Sequence, residues 1–77
     1  MKIKSLGPNQ TQVCIKIQGK QALVLFSYET PVAAEIGGQF FRTKTKHSVT
    51  TSRHINRWLA GAEAEEKPQE FFDDLTA

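Results

Sequence analysis

TQVCIKIQGKQALVLFSY, residues 11–28, decides the fold class. Val13, Ile15 and Ile17 recur at every second position with Cys14 and Lys16 between them, the period of a strand that buries one face. Gln18, Gly19 and Lys20 then read as a hairpin turn in which Gly19 supplies a positive φ. The return segment, Gln21 to Tyr28, is apolar at consecutive positions from Ala22 to Phe26. A strand of that kind is apolar on both faces, so it lies centrally or under another layer.

Working outward toward the N-terminus, KIKSL at residues 2–6 offers only Ile3 and Leu6 as anchors. It reads as a short edge strand whose lysines discourage further sheet growth, closed by Gly7, Pro8 and Asn9. Toward the C-terminus, ETPVAAEIGGQFFRT at 29–43 admits two readings. Pro31 opens a strand, Gly37 and Gly38 turn it, and Gln39 to Lys44 return; alternatively Ala33, Ala34 and Glu35 form one helical turn. The strand, turn, strand reading is preferred, and it sends Phe40 and Phe41 to opposite faces.

After Val49 the period lengthens to about 3.6. Ile55, Trp58, Leu59 and Ala62 fall at i, i+3, i+4 and i+7, one apolar stripe on a short amphipathic helix. Thr51 or Ser52 is the expected N-cap and Gly61 the stop. The expected architecture is therefore α+β, a small antiparallel sheet of three or four strands packed against one main C-terminal helix that begins near Ser52. Its core would hold Ile15, Ile17, Leu23, Leu25, Ile55, Trp58 and Leu59. Residues 1–62 form the single domain, and 63–77 an acidic C-terminal tail, either a short docked helix or disordered.

Seventy-seven residues with 39% hydrophobic side chains suffice for one core. A chain so small hides only about 60% of its extended surface, which leaves room for a partner or a homodimer. Cys14 is the lone cysteine, so there is no internal disulfide and no thiolate cluster for a structural metal. The longest apolar run, Ala22 to Phe26, is far too short to cross a bilayer. These features lead us to expect a cytoplasmic protein without cofactor and without membrane contact.

Charge is distributed unevenly. Residues 1–62 hold nine Lys or Arg against Glu29 and Glu35, net +7, whereas residues 63–77 hold Lys67 against six acids, net −5. The basic body suits DNA, RNA or an acidic protein, and the acidic tail suits a partner of its own or a place over the body, competing with its ligand. In the anticipated frame Arg53 lies at the opening turn of the helix, beside the positive end of the backbone dipole, and neither frame supplies a capping box. An anion would relieve that turn. The expected anion or nucleic-acid site comprises Arg42, Lys44, Lys46, His47, Thr50, Thr51, Ser52, Arg53 and Arg57. Glu70, Phe71, Phe72, Asp73 and Asp74 are the expected protein-partner contacts.

Catalysis finds little footing. A nucleophilic Cys14 would need His47 or His54 and an orienting acid at spacings the chain does not offer. The same three residues lack zinc-ligand spacing and a fourth partner. We therefore expect no catalytic residue and no metal site.

TKTKHSVTTSRHINRWL at residues 43–59, with YETPVA at 28–33, resembles a pattern of small uncharacterised domains of phages and other mobile elements, in which a polar strand runs into a short helix. The resemblance implies a phage origin, hence the host cell cytoplasm, and assigns no activity. It also draws attention to His54 and Asn56. By kind of gene it implies a non-enzymatic binder of host machinery, either on nucleic acid or as an inhibitor of a defence or nucleic-acid-handling complex; a structural or oligomerisation module is the remaining alternative.

Overall fold

A computed structural model describes residues 2–76. The elements, in chain order, are β1 (Lys2–Gly7), β2 (Gln10–Ile17), β3 (Lys20–Ser27), β4 (Thr30–Ile36), β5 (Gln39–Thr43), α1 (Val49–Leu59), β6 (Ala64–Lys67) and α2 (Gln69–Leu75). All six strands join one sheet in the order β1-β2-β3-β4-β5-β6. Each neighbouring pair from β1 to β5 is antiparallel, whereas β6 lies parallel to β5. A parallel neighbour requires a crossover, and α1 provides it.

This corrects the expected fold, which had three or four strands, all antiparallel, and one helix. Five of the six strands lie in segments read as strand from sequence, more than the three or four counted into the sheet; the sixth is AEEK, a sequence poor in β-branched and aromatic residues and without alternation, so no local preference announces it. Pairing with β5 holds it in place, with Phe40 opposite Ala64 and Phe41 opposite Glu65. The Lys44 N–H donates to the Lys67 carbonyl at 2.9 Å and closes the ladder.

The second correction concerns layers. Register and pleat together sort the strand residues onto two faces. On one face Leu25 and Ala33 pack with Ile55 and Leu59 of α1, and Phe40, Trp58 and Ala64 border them. On the other, Val24, Ala34 and Phe41 pack with Phe72 of α2, and Ile15, Phe26, Ile36, Phe71 and Leu75 surround them. The sheet thus lies between two helices, which explains why the middle of β3 is apolar at every position. Of the core residues expected, Leu25, Ile55 and Leu59 are buried, while Ile15, Ile17, Leu23 and Trp58 are only half-buried. Phe40 and Phe41 do face opposite ways.

Tight turns set the register of the meander. Gly37 and Gly38 both take positive φ, 59° and 86°, as a two-residue hairpin turn with two left-handed positions demands. The turn from β3 to β4 puts Tyr28, a bulky residue, at φ 60°. That conformation costs energy for a side chain of this size.

The start of α1 differs from the sequence reading by a full turn. Ser48 is the N-cap, and its Oγ accepts from the Thr51 N–H at 3.1 Å. Arg53 is then the fifth residue of the helix, clear of the unpaired first-turn amides, and the electrostatic objection to its position disappears. Ser48→Ala should destabilise the protein by about 0.5–2 kcal/mol in chemical denaturation, against a few tenths for the exposed Thr50→Ala. A larger loss from Thr50→Ala would contradict this helix start.

The segment expected as an acidic tail contributes β6 and α2. Gln69 anchors the start of α2: its Nε2 donates to the Pro31 carbonyl at 2.7 Å, and its Oε1 accepts from Thr43 Oγ1 at 2.9 Å. Lys67 lies 5.8 Å from the centroid of Phe41 and 5.6 Å from that of Phe71, capping the aromatic edge of this layer.

Candidate anion-binding face

The residues proposed from sequence for anion contact fall into two groups. Lys44, Lys46 and His47 are exposed in the connection from β5 to α1, and Thr50, Arg53 and Arg57 are exposed on α1 itself. Arg42, Thr51 and Ser52 are turned inward to differing degrees. Arg42 is half-buried and donates from Nη1 to Asn56 Oδ1 at 3.2 Å, which ties β5 to the helix. His47 Nε2 lies 2.9 Å from Gln69 Oε1.

Thr51 is buried in a chain of hydroxyls. Ser48 Oγ donates to Thr51 Oγ1 at 3.2 Å, Thr51 Oγ1 lies 3.0 Å from Ser27 Oγ, and Ser27 Oγ lies 2.8 Å from His54 Nδ1. The groups expected to bind an external anion at the helix start are therefore partly spent on internal bonds. The Ser52 N–H likewise donates to the Ser48 carbonyl at 3.0 Å. Sequence reasoning missed Ser27, although period two from Leu25 places it on the helix-facing side.

A serine hydroxyl beside a histidine nitrogen is also what a nucleophile and its base would form. Here Ser27 is 2% exposed, and its hydroxyl is already shared with Thr51 Oγ1 in a depression it lines with Tyr28, His47 and Ser48. The imidazole also packs on Tyr28, ring centroids 6.1 Å apart and planes inclined by 40°. Among the described residues no three His, Cys, Asp or Glu side chains are grouped to hold a metal ion. Among the described residues no helix is long and apolar enough to cross a membrane.

Glu70, Asp73 and Asp74 are exposed on α2, as a contact surface requires. Phe71 is half-buried, its ring 5.3 Å from that of Phe41. Phe72 is fully buried and belongs to the core, which removes it from any surface.

The topology turns the charge asymmetry of the chain into an asymmetry of faces. By register, the α1 side of the sheet carries Lys2 and Lys4 of β1, Lys16 of β2 and Arg42 of β5, against Glu35 and Glu66. Arg53 and Arg57 add to it from the exposed surface of α1. The α2 side carries Glu65 with Glu70, Asp73 and Asp74, against Lys20 and Lys67. Lys2, Lys4 and Lys16 were not among the residues expected. Their signal was the same period of two that defines the strands, since lysines at 2 and 4 in β1 must share a face.

No curated protein and no solved structure matches this chain. Residues 1–74 match DUF8033, a family of unknown function. That match runs from β1 into the last turn of α2, and the chain belongs to this family.

Proposed function

We propose that this is a non-enzymatic binding protein whose α1 side engages the phosphates of DNA or RNA. The observation behind this reading is the segregation of charge across the sheet, with Lys2, Lys4, Lys16, Arg53 and Arg57 on one side and the acids of α2 on the other. One-sided positive potential draws in a polyanion and orients it before contact. Lys44 and Lys46, exposed in the connection into α1, add positive charge at the approach to the helix, while His47 of the same connection is held to Gln69 at the start of α2. The helix lies on the sheet and is not free to enter a groove as a recognition helix would, so the contacts are to backbone phosphates and carry little sequence preference.

Phosphate contact has a quantitative signature in salt. Each phosphate neutralised on duplex DNA contributes about −0.9 to the slope of log affinity against log salt concentration. Replacing both Arg53 and Arg57 with glutamine should weaken binding to a labelled duplex and make the slope shallower by about two. Replacing Glu70, Asp73 and Asp74 with their amides should leave the slope unchanged. Failure of the parental protein to bind single- or double-stranded oligonucleotides at low salt would eliminate this reading.

The acidic face gives the second reading a specific footing. Glu70, Asp73 and Asp74, exposed on one short helix, present carboxylates to solvent as a phosphate backbone presents its oxygens. A phage-encoded inhibitor of a nucleic-acid-handling host complex would use that surface, and the amide substitutions that spare oligonucleotide binding would abolish the inhibition.

A further inference from the structure

We infer that the free edge of β1, together with the shallow apolar depression beside it, is a docking site for an extended segment of another protein in which acidic and apolar side chains alternate. β1 pairs with β2 along one edge and ends the sheet along the other. Lys2 to Leu6 are exposed throughout, and Ile3 reaches 69% exposure, an unusual position for an isoleucine in a strand. Unpaired N–H and C=O groups on such an edge are a template for one more strand.

The two sides of β1 differ in what they offer an incoming strand. On the α2 side of the sheet, Ile3 lies opposite Val13, and with Thr11, Phe26, Tyr28 and Glu29 it lines a depression of about 280 Å³. The helix on that side packs on Val24, Ala34 and Phe41 and leaves the β1–β2 end open. On the other side, Lys2 and Lys4 stand in a row with Cys14 and Gln12. A strand added to β1 would therefore set every second side chain against lysine and the intervening ones against Ile3 and the depression beyond it.

Charge complementarity chooses the occupant. When a second copy of the chain pairs antiparallel through β1, centred on Ile3, each Lys2 lies opposite the other copy's Lys4; centred on Lys4, lysine lies opposite itself. Like charges directly opposed across a strand pair are destabilising, so the lysines oppose self-pairing. The same lysines favour glutamate or aspartate. Tyr28 is 51% exposed and lines the depression, where it adds surface for an apolar side chain of the guest.

The inference shares Lys2 and Lys4 with the nucleic-acid reading, but its apolar half, Ile3 and the depression, lies on the other side of the sheet, so substitution of Ile3 separates the two. The test uses the full chain and three capped seven-residue peptides, alternating glutamate with valine, lysine with valine, and glutamate with serine. Binding is followed by amide chemical shifts and by hydrogen exchange of the β1 amides. The glutamate–valine peptide is expected to bind at least tenfold more tightly than either control and to slow exchange in β1. Ile3→Asp, on an exposed position that the fold does not need, should abolish that binding while leaving oligonucleotide affinity in place; Arg57→Gln should do the reverse. Lys2→Glu with Lys4→Glu should transfer the preference to the lysine–valine peptide. Equal binding of the three peptides, shifts confined to elements other than β1, or concentration-dependent dimerisation that protects β1 without peptide would each overturn the inference.

Discussion

Phe72→Ala is expected to remove about 3–5 kcal/mol of stability, the range for truncating a fully buried aromatic ring. Phe72 is completely enclosed, with Val24, Ala34 and Phe41 beneath it and the Phe71 ring 5.1 Å away at a near-perpendicular angle. Small domains are stable by roughly 0.05–0.15 kcal/mol per residue, so the loss would consume a large part of what this chain has. Urea denaturation of the purified variant, followed by circular dichroism, measures it. A midpoint close to the parental one would show that α2 is not part of the core.

Truncation after Ala62 should have the larger effect. It removes β6 from the edge of β5 and strips α2 from its face of the sheet, exposing Val24, Ala34 and Phe41 to water. It also removes Gln69, whose side chain bonds Pro31, Thr43 and His47. The shortened chain is expected to lose its cooperative thermal transition. A sharp melt near the parental temperature would contradict a core on both faces of the sheet. The consequence for function is practical: the influence of the acidic residues on ligand binding must be tested by substituting Glu70, Asp73 and Asp74, since deletion would confound binding with unfolding.

Both results concern the part of the chain that sequence reading treated least well. The hairpin of β2 and β3 was legible because Val13, Ile15 and Ile17 alternate and Gly19 marks the turn, and the Gly37–Gly38 turn fixed the next pair in the same way. β6 was not legible. Ala64, Glu65, Glu66 and Lys67 have neither the residue types nor the period of a strand, and only the parallel neighbour explains their conformation. α2 was read as a docked or disordered tail because seven residues rich in acids give no period long enough to recognise. Two cues were present in Phe71 and Phe72, and in the apolar run of β3, which called for cover on both faces.

The candidate site was legible as composition and misread as geometry. Starting α1 at Ser52 put Arg53 at the helix mouth and suggested an anion held by Thr51 and Ser52. With Ser48 as the cap, Thr51 turns inward to Ser27 and the surface that remains is broader, built from α1 and the lysines of β1 and β2. Strand parity would have added Lys2, Lys4 and Lys16 had the two faces of the sheet been considered separately.

The central claim is that opposite faces of the sheet have opposite roles, and amide shift mapping with a short DNA duplex tests it most directly. Titration at low salt is expected to move the resonances of β1, β2, the 44–48 connection and the exposed side of α1, and to leave α2 unmoved. Perturbations centred on α2, or none at all at saturating duplex, would contradict it.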